Sequence, residues 1–127
     1  DGSTYEGEFH RDQIHGEGVY TWKDGRRYEG QWMKDRMHGK GFFRWRDGRA
    51  YEGEYRLDQK DGIGAFVWPD GRRYEGEWKD GKQHGLGLYS AARFEKRPGE
   101  WEEGRRLRWL PRVKGAGGAP VRGGQLL

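Results

Sequence analysis

The sequence contains no cysteine, which excludes disulfide bonds, thiolate metal sites and cysteine nucleophiles. It has no apolar run near the roughly 20 residues of a membrane-spanning helix. It also has no apolar segment near the start that would be typical of a signal peptide. Leu, Ile, Val and Phe together supply only 18 of 127 residues, a fraction typical of disordered chains.

Aromatic residues and glycine are plentiful instead. Aromatics make up 15% of the chain, including seven Trp, and the net charge is only +4, whereas disordered segments are poor in aromatics and strongly charged. The charge is uneven, because residues 93–127 hold nine Lys/Arg against four Asp/Glu while residues 1–92 carry one net negative charge. Only the last quarter therefore has a field that favours an anionic partner.

The aromatic residues and glycines recur at a period of 23 residues, which indicates a repeat architecture. Asp-Gly pairs open the units at Asp1, Asp24, Asp47 and Asp70. The main series are Tyr5, Tyr28, Tyr51 and Tyr74; Gly7, Gly30, Gly53 and Gly76; Phe9, Trp32, Tyr55 and Trp78; Gly16/Gly18, Gly39/Gly41, Gly62/Gly64 and Gly85/Gly87; and Tyr20, Phe43, Phe66 and Tyr89.

Within a unit, apolar and polar residues alternate, a pattern that predicts half-buried β-strands. Turn-forming stretches such as Lys79–Lys82 separate the strands. Asp12, Asp35 and Asp58 stand where the fourth unit has Gly81, as expected of a turn residue with positive φ. Each unit is therefore one β-hairpin, and four hairpins predict about eight antiparallel strands.

A fifth unit begins but loses the pattern. Gly99, Trp101 and Gly104 keep the register, whereas Arg97 replaces the tyrosine, and terminal repeats are often atypical because they cap the array. We expect an array over residues 1–104, a basic capping segment over 105–113 and a flexible, glycine-rich tail over 114–127. The units of the array are 1–23, 24–46, 47–69 and 70–92, with a degenerate unit over 93–104. Because the chain opens in mid-pattern, we also expect it to be part of a longer protein.

The stretch Tyr74–Gly87 resembles the MORN repeat, whose pattern is roughly Tyr-x-Gly-x-Trp-x-x-Gly-x-x-His-Gly-x-Gly. Residues 5–18 and 28–41 match closely, with Asp at the turn glycine, and residues 51–64 depart further because Asp61 replaces the His. The resemblance implies an all-β fold, an elongated, single-layer twisted antiparallel meander of consecutive β-hairpins. It also implies a scaffold or interaction role in cytoskeletal, ciliary or membrane-associated assemblies, with a cytoplasmic location.

One face of the predicted sheet carries the aromatic rings with glycines between them. These rings can simply be the core of a curled sheet, because aromatics bury a large area each. A single layer cannot bury its face fully, however, and exposed apolar surface is used by partners. We therefore predict that a partner peptide or helix binds this face. The predicted contact residues are Tyr28, Trp32, Trp45, Tyr51, Trp68, Tyr74 and Trp78.

The opposite face is polar in the first half of the array and partly aliphatic in the second half. We call Ile63, Ala65, Val67, Leu86 and Leu88 the aliphatic strip. It is either scattered surface apolar residues or a patch that something covers. One candidate cover is the segment 105–113, with Leu107, Trp109, Leu110 and Val113. The other is a second copy of the chain, which predicts a homodimer through Ile63, Val67, Leu86 and Leu88, since open sheet ends also invite pairing.

The basic residues Arg105, Arg106, Arg108 and Lys114 are an alternative site, for phosphoinositides or another anionic membrane surface. Each cation near such a surface contributes about 1 kcal/mol, and Trp109 suits the interface. A solvated cap or an acidic protein partner also accounts for these charges.

Other chemistry finds little support. The histidines His10, His15, His38 and His84 are spread along the array, unlike clustered zinc ligands, so we expect them to bond turns or pack on rings. Gly16-x-Gly18 lacks the third glycine of a dinucleotide fingerprint, and the repeated carboxylates contain no singular acid/base pair. The sequence thus predicts a non-catalytic interaction module without metal, cofactor, small-molecule substrate or nucleic acid.

Overall fold

The computed structural model describes residues 1–91 and 95–112, and every regular element in these ranges is a β-strand. Strand and turn alternate because the apolar residues recur at every second position between short turns rich in Gly and Asp. The strands are β1 (Thr4–His10), β2 (Gln13–Thr21), β3 (Arg27–Met33), β4 (Arg36–Arg44), β5 (Ala50–Arg56), β6 (Gln59–Val67), β7 (Arg73–Lys79), β8 (Lys82–Ser90), β9 (Arg97–Glu102) and β10 (Arg105–Trp109).

The strands form one open sheet in chain order, from β1 at one edge to β10 at the other. Every neighbouring pair is antiparallel. The predicted all-β meander is confirmed, and each of the first four hairpins lies inside one 23-residue unit. The prediction of eight strands is wrong, because the degenerate unit forms a fifth hairpin, β9–β10. Arg105–Trp109, expected to be a separate cap, is its second strand.

Each of the four regular hairpins contains a β-bulge at the same place. In the third repeat the register shifts between Gly53 and Tyr55, and Gly62 opposite adopts a φ of 101°. The Glu54 carboxylate accepts a hydrogen bond from the Ile63 amide at 2.6 Å, so this amide has a partner although the bulge interrupts the ladder. A β-carbon on Gly62 would overlap that carboxylate, which explains why glycine is needed there.

The turns within the hairpins also bind the repeat before them. Asp35 has a φ of 68° and Asp58 a φ of 72°, while Gly81 has a φ of 84°, so the predicted left-handed turn position is confirmed. Asp58 does more than tolerate this angle. Its amide donates to the Met37 carbonyl at 2.9 Å, and its carboxylate accepts from the Met37 amide at 2.8 Å.

The repeating histidine likewise contacts the turn of the following repeat, as expected. Nδ1 of His15 accepts a hydrogen bond from the Lys34 amide at 3.4 Å, and Nδ1 of His38 accepts from the Leu57 amide at 3.3 Å. Asp61, which replaces the histidine, accepts from the Asp80 amide at 3.3 Å. The substitution therefore preserves an acceptor at this joint between repeats.

The fifth hairpin is built differently from the other four. Trp109 pairs with Gly99. The equivalent pair in the fourth hairpin is Gly87 with Gly76, so Trp109 takes the place of Gly87. In the regular repeats a tyrosine ring lies over that glycine. Here Arg97 stands in the place of the tyrosine, and its guanidinium stacks on the Trp109 ring at 4.1 Å. The ring thus comes from the second strand instead of the first.

Candidate interaction surface

The aromatic face is the face of the sheet that carries the repeated tyrosine and its neighbours. Its deepest layer is the tyrosine series, and Tyr28, Tyr51 and Tyr74 are each 0% exposed. The Tyr51 hydroxyl donates to the Glu54 carbonyl at 2.8 Å, and its ring occupies the space that a side chain at Gly64 would need. Burial raises the pKa of these three hydroxyls. They are structural residues.

The second layer is formed by Trp32, Tyr55, Trp78 and Trp101, which are also buried. Trp78 Nε1 donates to the Gly64 carbonyl at 3.0 Å, and the ring meets Tyr74 edge-on with centroids 5.3 Å apart. Edge-to-face contacts of this kind add stability beyond area burial. They continue along the array, since Tyr51 also meets Trp78 edge-on at 5.4 Å.

Five of the seven predicted contact residues are therefore inaccessible: Tyr28, Trp32, Tyr51, Tyr74 and Trp78 are packed against the backbone and one another. Their side chains offer a partner almost no surface in this structure. Trp45 and Trp68 remain half-buried. Together with Trp22, which holds the same place in the first repeat, they form what we call the tryptophan ridge.

Each tryptophan of the ridge begins an Asp-Gly turn. The Arg49 guanidinium lies over the Trp45 ring at 5.1 Å and is paired with the Asp47 carboxylate at 2.8 Å. Hydrogen bonds from the backbone and side chain of Arg49 lower the pKa of Asp47. The same unit recurs as Trp22, Asp24 and Arg26 and as Trp68, Asp70 and Arg72.

A lysine lies among the rings at the centre of this face. The Lys60 ammonium is 5.4 Å from the ring centroid of Trp45, 5.5 Å from that of Tyr51, 5.6 Å from that of Phe66 and 5.7 Å from that of Trp78. Desolvation, together with the positive charge of Arg49, lowers the pKa of Lys60. We call this group the lysine cage. Its signal in the sequence was a lysine at the repeat position that holds Ile14 and Met37.

On the opposite face, the aliphatic strip is only partly covered. Leu88 is 5% exposed, whereas Ile63 is 41% exposed, and Val67 and Leu86 are half-buried. The Leu88 end of the strip is therefore buried, whereas the Ile63 end is accessible to a second molecule.

The covered end of the strip is bounded by charged groups. Glu75, next to Leu88 in the sheet, is buried and pairs with Arg73 at 2.6 Å and Lys96 at 3.0 Å. Burial alone would raise the pKa of Glu75, but these two cations outweigh it and lower the pKa. Lys96 lies directly before β9, so its side chain approaches this end of the strip.

The segment 105–113 covers the strip less than expected. Trp109 lies on the aromatic face, because its pairing with Gly99 places its side chain there. Its ring meets Trp101 edge-on with centroids 6.1 Å apart. Leu107 is exposed. The Leu110 amide donates to the Pro98 carbonyl, which places Leu110 at the end of the row of Leu88 and Pro98. Val113 lies outside the described residues.

The opposite face also holds a shallow acidic groove of about 700 Å³ at the middle of the array. Phe42 and Ile63 line it together with Lys40 and a set of carboxylates. The acidic residues are Glu17, Glu29, Glu52 and Glu54. The two faces thus differ in charge at their centres, with a lysine on the aromatic face and carboxylates on the other.

The predicted lipid-contact residues Arg105, Arg106 and Arg108 are exposed on the edge strand β10. Arg106 stacks on Trp109 at 4.3 Å, and Arg108 pairs with Glu100. Arg106 is therefore turned toward the aromatic face, and the charge of Arg108 is partly neutralised. Lys114 lies outside the described residues.

Within residues 1–91 and 95–112, no cluster of His, Asp and Glu has the geometry to hold a metal ion. The same part of the chain contains no helix that could cross a membrane.

The model of the MORN repeat family matches the chain four times, over residues 5–26, 28–48, 51–72 and 74–92. These matches cover more than half of the chain and follow the first four hairpins. A comparison with curated protein sequences finds no match for this chain.

Proposed function

This chain belongs to the MORN-repeat family, and we propose that it is a non-catalytic scaffold that binds a partner peptide or helix along its aromatic face. MORN repeats are interaction motifs for proteins and membranes. The proposal adds the kind of partner and the surface that it uses.

The observation that carries the proposal is the half-buried tryptophan ridge. Trp22, Trp45 and Trp68 lie two strands apart, so they follow one another at intervals of roughly 10 Å across the sheet. Among the described residues, no second layer packs over them. A continuous row of half-open indoles with polar turns beside it is the type of surface that marks a binding site.

The buried residues support this surface instead of forming it. Trp45 packs on Phe43 with ring centroids 4.3 Å apart, and Trp68 packs on Phe66 at 4.7 Å. Because the ridge rests on a rigid inner layer, a partner meets a preorganised surface and loses little affinity to ordering it. The proposed contact residues are therefore Trp22, Trp45 and Trp68 with the arginines stacked on them.

The cellular setting is part of the proposal and follows from the family resemblance alone. We place the protein in the cytoplasm, in a cytoskeletal, ciliary or membrane-associated assembly.

The test is affinity capture with the whole chain as bait, followed by mass spectrometry and by direct binding measurements on each captured protein. The variant Trp45→Ala/Trp68→Ala removes the centre of the ridge, and Ile63→Glu is the matched control on the opposite face. We expect the double variant to lose the partner and the control to keep it, with thermal melting showing that both are folded. Binding that survives the double variant and disappears with Ile63→Glu contradicts the proposal.

A second candidate function is contact with an anionic membrane, favoured by the exposed Arg105 and Arg106 on the edge strand β10. Sedimentation with phosphoinositide vesicles at two salt concentrations tests it. Salt-sensitive binding that is lost in Arg105→Glu/Arg106→Glu would support this candidate and displace the peptide-binding proposal if no protein partner is captured.

Self-association is a third candidate, favoured by the exposed Ile63 and by the open edges β1 and β10. Light scattering of wild type against Ile63→Glu tests it. Leu88→Glu is a poor probe, because Leu88 is buried and its change would disturb the fold. A mass that stays monomeric at all concentrations excludes this candidate.

A further inference from the structure

The lysine cage sets one repeat apart from the others. The position of Lys60 holds Ile14 in the first repeat, Met37 in the second and Gln83 in the fourth. The first two are partly buried and pack against the aromatic core, and an apolar side chain at position 60 would satisfy the same packing. The third repeat instead places an ammonium among four rings, which folding alone does not require.

The charged groups around Lys60 leave it without a counter-ion. Arg49, whose charge acts on Lys60, is itself positive and is paired with Asp47. Among the described residues, no ion pair or hydrogen bond joins the Lys60 ammonium to a carboxylate. The ring faces stabilise a cation, but a half-buried charge normally has an anionic partner as well.

We propose that Lys60 is the specificity-determining residue of the aromatic face, and that it recognises an acidic side chain of the partner segment. The partner carboxylate pairs with the Lys60 ammonium, while apolar side chains beside it contact the tryptophan ridge at Trp45 and Trp68. This inference rests on the proposed function, because it names the chemistry of the segment bound on that face.

The charge of the two faces favours an acidic segment. The opposite face has an acidic groove at its centre, which repels such a segment. On the aromatic face, Arg97 and Arg106 both stack on Trp109, so further cations lie toward the β10 edge. A peptide that crosses the strands from β6 toward β10 would contact Lys60 and then these arginines.

The spacing of these cations makes the inference quantitative. Lys60 in β6 pairs with Tyr55, and Arg106 in β10 pairs with Trp101, the residue equivalent to Tyr55. Lys60 and Arg106 therefore hold equivalent positions on strands that are four apart, a separation of about 19 Å. A helical partner spans that distance with about 13 residues, and an extended partner with about 6 residues. Two acidic positions at one of these separations are therefore expected.

A displayed library of randomised 20-residue peptides, selected on the whole chain, tests the inference without a known partner. We expect enriched peptides to carry Asp or Glu at a fixed distance from their apolar anchors. Lys60→Met, which copies the residue of the second repeat, should weaken their binding by roughly tenfold to a hundredfold, as expected for the loss of a charge-assisted contact. Lys60→Arg should keep most of it.

A register swap guards against a merely structural effect. In Met37→Lys/Lys60→Met the cation moves by one repeat, to a position beside Trp22, Tyr28, Phe43 and Tyr55. The acidic residue of newly selected peptides should then move relative to the β10 end by about six residues in a helix or about three in an extended segment. Thermal melting checks that each variant is folded at the temperature of the selection.

The outcomes separate the two claims. Peptides that bind the wild type with no acidic preference, or that bind Lys60→Met equally well, overturn the role of Lys60 and leave the proposed function intact. If no peptide prefers the wild type over Trp45→Ala/Trp68→Ala, the proposed function fails and this inference fails with it. Phosphatidylcholine vesicles containing phosphoinositide that bind wild type but not Lys60→Met would assign the cation to lipid and overturn the acidic peptide.

Discussion

At the scale of single residues, glycine in this protein provides space for rings and carboxylates. A β-carbon on Gly64 would overlap the Tyr51 ring, and one on Gly62 would overlap the Glu54 carboxylate. The scarcity of aliphatic residues follows from this arrangement. Rings lying flat on glycine backbone fill the core that Leu and Val fill elsewhere, and each ring buries a large area.

The turn residue at position 81 tests whether the repeated Asp binds the neighbouring repeat. Gly81 has nothing near its missing β-carbon, so neither Gly81→Asp nor Gly81→Ala creates a clash, and at positive φ Asp is strained less than Ala. Only the Asp can accept the Lys60 amide, as Asp58 accepts the Met37 amide. We expect Gly81→Asp to be more stable than Gly81→Ala by about 1 kcal/mol.

Urea unfolding of the two variants measures this difference, with wild type as the reference. A difference well below about 1 kcal/mol would show that Asp occurs at this position because it tolerates the angle, and that it does not bind the neighbouring repeat. The comparison is sharp because both variants carry a β-carbon and the same backbone conformation.

The repeated residues were predictable, and their role as contacts was not. Tyr51, Trp78 and Gly64 could be found from the period, because the same packing recurs in every unit. Residues that form this packing are buried for the same reason. The proposed partner would contact residues that differ between units or that stay outside the packing. Lys60 departs from Ile14 and Met37, and that departure was visible in the sequence but could be interpreted only once the surrounding rings were seen.

At the scale of elements, the hairpin is the unit, and the alternating pattern correctly predicted antiparallel strands joined by short turns. The fifth hairpin was not predicted, because each of its two strands carries a change from the repeat motif. Arg97 replaces the tyrosine and Trp109 stands opposite Gly99, so each strand alone departs from the motif, and only the pair rebuilds a ring-stacking unit. Side-chain alternation by itself does not show which strand supplies the ring.

The fifth hairpin should stabilise the end of the array, and two equivalent positions test this. Trp101 is 6% exposed and meets Tyr74 with ring centroids 4.8 Å apart, whereas Phe9, at the same place in the first hairpin, is 63% exposed. We expect Trp101→Ala to lower the free energy of unfolding by about 3–5 kcal/mol. The matched Phe9→Ala should change it by about 0.5 kcal/mol.

Denaturant unfolding monitored by circular dichroism gives both values. A small loss for Trp101→Ala, similar to that of Phe9→Ala, would show that β9–β10 is an appendage and not part of the cooperative core.

At the scale of the whole molecule, the buried tyrosines link stability to alkaline pH. Burial raises the pKa of Tyr28, Tyr51 and Tyr74, so their neutral forms are favoured in the folded state. The unfolded chain loses these protons first, above about pH 10, and stability therefore falls as pH rises beyond that value. Burial also raises the pKa of Tyr5 and Tyr55. The lowered pKa of Lys60 acts in the opposite direction, but it is one group against five.

Thermal melting between pH 8 and pH 12 checks this expectation (roughly the range over which unfolded tyrosine titrates). We expect the melting temperature to be nearly constant up to about pH 10 and to fall above it. Tyr51→Phe loses the hydrogen bond to Glu54, which costs about 1 kcal/mol at neutral pH, but it should show a smaller alkaline decrease. An equally steep decrease in this variant would contradict the role of tyrosine ionisation.

The strand order has a mechanical consequence. Because the strands follow one another in chain order, the two ends of the described sheet lie at opposite edges, and tension applied between them runs across the strands. Hydrogen bonds loaded in this direction break one after another from an edge, so the sheet should unzip hairpin by hairpin at low force. Each released hairpin lengthens the chain by about 70 Å, since 23 extended residues replace two strand widths. The array would thus act as a soft, stepwise extensible tether between whatever its two ends hold.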